Sequence, residues 1–305
     1  IEKFRTLGYE VWMDDFGSGY SSLNVLKDYN FDTIKFDMNF LRGFDINRSD
    51  KAKYIISSNL SMARLMGMQA LAEGVETEEQ LYAMSMDLTV NKAQVYYQLA
   101  KDITITTTHW TPIGVYDAFA GTFDGNGYTI SALKVSDGDY QYAGLFGQNN
   151  GNIKNLNVNG TISGNRYAGV LAGMNRGNIS NCITSGSVSG QYAGGLAGYS
   201  ESSGSVTASG STASVNGSSY AGGVIGYNYR PVTNCYAQGN ALGDGTKGGL
   251  IGYNNSTVSN CYSIGVVAST STRGGLIGSN NGTINSSYYN SGTSGQNDNK
   301  GTPVS

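Results

Sequence analysis

Four short stretches of this sequence carry ionisable or amide side chains at the ends of apolar runs. Val11-Trp12-Met13 stops at Asp14-Asp15, and Phe16-Gly17-Ser18-Gly19-Tyr20-Ser21 follows. Thr33-Ile34-Lys35-Phe36-Asp37 is extended and β-branched, with its charges near the end. Met68-Gln69-Ala70-Leu71-Ala72 delivers Glu73, with Glu76 three residues on, and Lys92-Ala93-Gln94 begins a last short run. Polar groups gathered at strand ends are where barrel and doubly wound folds place their chemistry. Each has a plainer reading as well. Asp14 or Asp15 suits a turn or cap, Lys35 a solvated position, and Glu73 or Glu76 the first turn of a helix.

The elements that must position these groups alternate. Residues 50–66 carry Ile55, Ile56, Leu60, Ala63 and Leu65 at near-helical spacing, with Ser49 as a cap. Thr77-x-x-Gln80 has the form of a capping box and opens a helix through Leu81 and Met84. Lys92 to Tyr97 reads as a further strand. The βαβα order predicts a parallel sheet with helical crossovers.

Taken together, Asp14-Asp15-Phe16-Gly17-Ser18-Gly19-Tyr20-Ser21-Ser22-Leu23, Lys35-Phe36-Asp37, Ala72-Glu73-Gly74-Val75-Glu76-Thr77 and Lys92-Ala93-Gln94 resemble the EAL family. Those enzymes hydrolyse cyclic di-GMP. The resemblance covers residues 1–98 and implies the C-terminal part of a TIM-like barrel. It implies Asp14, Asp15 and Glu73 as metal ligands for a pair of Mg2+ or Mn2+ ions. Lys35 would sit beside the attacking water, Glu76 would anchor the loop Phe16–Leu23, and Gln94 would orient the site. Two such ions neutralise a phosphodiester and make a water nucleophilic. The departures count against turnover: the Glu-Ala-Leu motif and the earlier Asn- and Glu-bearing strands are absent, Ser18 replaces Thr, and Val95 replaces Gly. A barrel short of strands also leaves open sheet edges. The expectation is an inactive module.

Composition changes sharply after that stretch. Residues 1–101 hold 25 of the 41 charged side chains and seven of the eight methionines, but only six of the 44 glycines. A boundary near residue 100 follows, with no Gly/Ser or Pro linker to mark it. The formal net charge of −3 argues against a protein held to DNA by charge. No apolar run approaches the roughly 18 residues of a membrane span. The chain opens at Ile1 without a signal-peptide pattern, as a piece of something longer would.

The remainder repeats. Tyr-Ala-Gly-Leu-Phe-Gly at 142–147 returns in variants that close at Gly173, Gly198, Gly226, Gly252 and Gly278. The intervals of 25–28 residues predict a β-solenoid of about six coils over 142–290, preceded by a lead-in coil at 99–141 and followed by a polar tail at 291–305. Leu156, Cys182, Cys235, Cys261 and Ser287 each lie nine residues past a closing glycine, while the third unit does not align. Cys182, Cys235 and Cys261 read as a core-filling ladder, or, for the last two, as a disulfide; the odd count favours the ladder. Tyr199, Tyr227 and Tyr253 follow closing glycines and form a stripe that braces the coil or stacks on sugars. Scattered acids argue against an enzymatic solenoid, and His109 beside Trp110 reads as structural.

These repeats resemble the GLUG motif family of bacterial surface and secreted proteins, which implies an adhesin or spacer with a surface or glycan ligand. The fold class is therefore mixed: a partial α/β barrel, then an all-β solenoid. The two resemblances conflict on location, cytoplasmic for the first part and cell surface for the second. Residues 92–102 belong to both, continuing an EAL strand and starting the repeat region. Three functions stand: a phosphodiesterase remnant, a solenoid adhesin or spacer, and an active site rebuilt by dimerised half-barrels.

Overall fold

A computed structural model of the 305-residue chain describes residues 1–17, 23–37, 51–85, 95–136, 140–201, 203–298 and 300–304. Four parallel strands lead, β1 (Trp12–Phe16), β2 (Thr33–Asp37), β3 (Gln69–Val75) and β4 (Val95–Leu99), in that spatial order. Helices α1 (Glu2–Thr6), α2 (Leu23–Asp28), α3 (Lys51–Leu65) and α4 (Glu78–Ser85) alternate with them. The predicted capping box forms at α4: Gln80 N donates to Thr77 Oγ1, and Glu76 N and Thr77 N donate to Gln80 Oε1. Among the described residues no helix is long and apolar enough to cross a membrane.

The four strands do not end in a gap. On its far side β4 pairs in parallel with Thr122–Asp124, with Tyr97 opposite Phe123, and six further rungs follow to Thr283–Asn285. One 11-stranded parallel sheet thus spans both compositional halves. The double reading of residues 92–102 has a physical basis, since Val95–Leu99 is at once the last α/β strand and the first rung of the solenoid. The neighbour of β4 is a solenoid rung rather than another α/β strand, so that edge is covered. β1 carries no second neighbour among the described residues.

Two more sheets, of 15 and six strands, complete the solenoid. Its extent is about eight turns rather than six, because the lead-in segment forms coils of its own. Ile153, Ile179, Val206, Val232 and Val258 stack inward at full burial. The closing glycines recur because neighbouring backbone presses on them: a Cβ at Gly198 would lie 2.5 Å from Ala168 N. Ser209 stands in the cysteine column of the third unit, donating to Thr207 O as Cys182 does to Ser180 O. The longer interval of that unit had shifted its address by two. Cys182, Cys235 and Cys261 are free and buried, so the column is a core ladder and not a disulfide.

A second buried ladder was not anticipated. Asn149 Nδ2 donates to Asn175 Oδ1 at 2.7 Å, Asn228 to Asn254 at 2.8 Å and Asn254 to Asn280 at 2.7 Å. Ser200 interrupts it, and its buried hydroxyl finds no partner among the described residues. The tyrosine stripe is stacked rather than splayed: Tyr199–Tyr227 at 5.3 Å and Tyr227–Tyr253 at 4.2 Å are near parallel, with all three rings half-buried. His109 stacks on Tyr140, and Trp110 is buried with Nε1 on Leu145 O. The polar C-terminal stretch pairs back onto the last coil. Asn290 caps a short helix, and Thr302–Val304 pairs in parallel with Tyr288–Asn290.

Candidate functional site

Two backbone irregularities bring the sequence-predicted side chains together. The β1–β2 register slips between Met13 and Phe16, and Asp15 there adopts φ of +52°. The β3–β4 register slips between Ala72 and Val75, at Glu73 and Gly74. Bulges re-aim side chains, and here each one carries a carboxylate of the site. Lys35 stands on β2 between them. Its Nζ lies 3.0 Å from Asp14 Oδ1 and 3.0 Å from Glu73 Oε2.

Electrostatics follow the geometry. The hydrogen bond from Lys35 is the largest influence on Asp14 and holds its carboxyl below the usual range, and the same bonds to Asp14 and Glu73 raise Lys35. Asp15, Asp37 and Gly74 line the same crevice of about 420 Å³. The rest of its wall is Gln98 and Leu99 of β4, the strand both parts share, with Ala100, Asn126 and Tyr128 of the solenoid. Sequence reasoning missed that wall, although the Asn-Gly pair at 126–127 marks a turn.

Glu76 pairs with Lys101 at 3.6 Å, and most of the loop it was expected to anchor lies outside the described residues. Gln94 and the loop residues Ser18, Gly19, Tyr20 and Ser21 lie outside the described residues, whereas Phe16 is buried and packs edge-on against Phe36. Carboxylate oxygens are the right donors for Mg2+ or Mn2+. Their arrangement is not: Asp14 and Glu73 share an ammonium, and among the described residues no three His, Cys, Asp or Glu side chains group so as to hold an ion. A two-metal centre does not fit these residues as they stand.

A further polar cluster joins the two halves behind the crevice. Asp124, 6% exposed, accepts from Tyr96 OH, from Asn155 Nδ2 at 3.0 Å and from Asn126 N at 2.9 Å, and pairs with Lys154 at 3.2 Å. Burial pushes the Asp124 carboxyl up, but these bonds outweigh it and hold it low.

With that geometry in place, the likeness to known proteins divides along the chain. The EAL domain model matches residues 1–98. The cyclic di-GMP phosphodiesterase PdeR of Escherichia coli K12 is 38% identical over 80 residues, which cover 26% of this chain and 12% of that protein. The cyclic di-GMP phosphodiesterase RocR of Pseudomonas aeruginosa is 35% identical over 96 residues, 32% of this chain and 24% of that one. The matches thus take in only 10–24% of such curated relatives.

The solenoid is similar to solved structures in fold. A crystal structure from Bacteroides ovatus, described as a candidate immunoglobulin A1 protease, superposes with a TM-score of 0.62 at 22% identity, over 75% of this chain and 80% of that one. An IgA1 protease structure gives 0.52 at 17% identity, over 70% of this chain and 19% of its own. This chain is an EAL-type segment continued by a β-solenoid.

Proposed function

We propose that residues 1–98 are a remnant of a cyclic di-GMP phosphodiesterase domain that binds nucleotide without hydrolysing it, carried on a GLUG-type solenoid. One observation carries this reading: Lys35 Nζ sits 3.0 Å from each of Asp14 and Glu73. Two of the three carboxylates that the EAL resemblance assigns to metal are neutralised by the chain itself. Asp15, the third carboxylate that the resemblance assigns to metal, lines the same crevice. The test is incubation of the full chain with cyclic di-GMP and Mn2+ or Mg2+, following the linear dinucleotide by chromatography. No turnover is expected. Hydrolysis that disappears in Asp14→Ala would overturn the reading, and a dimer that hydrolyses would favour rebuilt half-barrels.

For the solenoid, a spacer role is the better of the surface readings. The faces of Tyr199, Tyr227 and Tyr253 are spent on one another, which favours bracing over sugar stacking. Glycan-array binding that survives removal of residues 1–94 would restore the adhesin.

A further inference from the structure

The corner that faces the crevice is built differently from every later copy of the same corner. Between the first and second sheets, each following coil turns with two residues, such as Asn155-Leu156, Asn181-Cys182 and Asn234-Cys235, the first left-handed. The coil that starts at Thr122 uses four, Gly125 to Tyr128, and the corner before it, after β4, uses three, Ala100 to Asp102. Asn126 and Gly127 adopt φ of +51° and +84°, and Tyr128 N donates to Gly125 O at 2.8 Å, a left-handed two-residue turn.

This enlarged turn is held rigidly. Gly127 N donates to Asn155 O at 2.8 Å, and Asn157 Nδ2 donates to Gly127 O at 3.0 Å. A solenoid needs no such extension to close its coil, because the later coils close without it. The two extra residues set Tyr128, half-buried with part of its ring against the hydrophobic core, into the wall of the crevice that holds Lys35 and Glu73. A planar ring offers stacking to any base and needs no charge, in a crevice whose lining acids outnumber its one lysine.

Resting on the nucleotide reading above, we propose that the solenoid contributes to the binding site, with Tyr128 as the residue on which a guanine base of cyclic di-GMP stacks. The experiment titrates fluorescently labelled cyclic di-GMP into the full chain by anisotropy, for the wild type, Tyr128→Phe and Tyr128→Leu. Tyr128→Phe should stay within about twofold of wild type and Tyr128→Leu should weaken binding at least about fivefold. Equal affinity of wild type and Tyr128→Leu would overturn this inference alone, whereas no binding by the wild type would overturn the nucleotide reading beneath it. Should Tyr128→Leu misfold, hydrogen exchange on the wild type decides. Ligand must slow exchange at the amides of residues 126–128, and unchanged rates there would sink the proposal.

Discussion

Thr106 gives both its backbone N–H, at 2.7 Å, and its hydroxyl, at 2.6 Å, to one carboxylate oxygen of Glu78. Glu78 opens helix α4 of the EAL-type segment, and Thr106 follows the first turn of the solenoid. Thr107 N donates to the other oxygen at 2.9 Å, and the side chain is 6% exposed. A buried carboxylate with three donors ties the helical layer to the coil beneath it. The two compositional halves are therefore joined by a shared sheet and also clamped across it.

That clamp makes stability depend on acid. Burial raises the Glu78 carboxyl, but the bonds from Thr106 and Thr107 outweigh it and hold it below its ordinary 4.5. The unfolded chain then takes up the proton at higher pH than the folded one. The stabilisation is fully present above pH 4.5 and is lost as pH falls through the lowered value. Glu78→Gln should cost about 2 kcal/mol at neutral pH and flatten the acid limb, measured by urea unfolding across pH 3–7.

Lys35 acts as a resident counter-ion for Asp14 and Glu73. Lys35→Met should raise affinity for Mn2+ by about tenfold or more, read by electron paramagnetic resonance, because two carboxylates lose their cation. Tight Mn2+ binding already in the wild type would contradict this role. Stability should change by less than about 1 kcal/mol, since Asp14 is 64% exposed.

Lys247 follows Ala143, Ala168, Ala193 and Ala221 in one column, fully buried. Its Nζ donates to the carbonyls of Asp244 and Thr246, and burial lowers its pKa to about 8 from 10.5. The unfolded chain holds that proton more tightly, so stability should rise between pH 8 and 10.5. Lys247→Met should abolish this alkaline gain and raise stability at pH 7 by about 1 kcal/mol or more, as thermal melts at both pH values would show.

Ser200 lies opposite Asn175 on one side and Asn228 on the other, where the asparagine ladder is broken. Ser200→Asn should rejoin it and stabilise the fold by about 1 kcal/mol in chemical denaturation. Asn175→Ala, which severs an intact rung, should destabilise by more.

The polar strand ends were legible because each sits at the close of a short apolar run, and so was the period, because Tyr-Ala-Gly and the closing glycine recur. The asparagine ladder was equally periodic, two residues past each closing glycine, but asparagine there reads as an ordinary turn residue until the strands are stacked. Ser209 was hidden by a coil of unequal length. The wall made by Asn126 and Tyr128 could not be read at all. It depends on Tyr97 lying opposite Phe123, a pairing between segments whose compositions point to different folds.

From β4 onward the parallel register of this sheet is unbroken, which makes the solenoid a ruler. Rungs of such a sheet are spaced about 4.8 Å apart, so the seven steps from Val95–Leu99 to Thr283–Asn285 hold the two ends of the solenoid about 34 Å apart. Duplicating one repeat would lengthen that span by a single fixed increment and leave the crevice untouched. Distance along this rod is inherited in whole units, independently of the chemistry at its head.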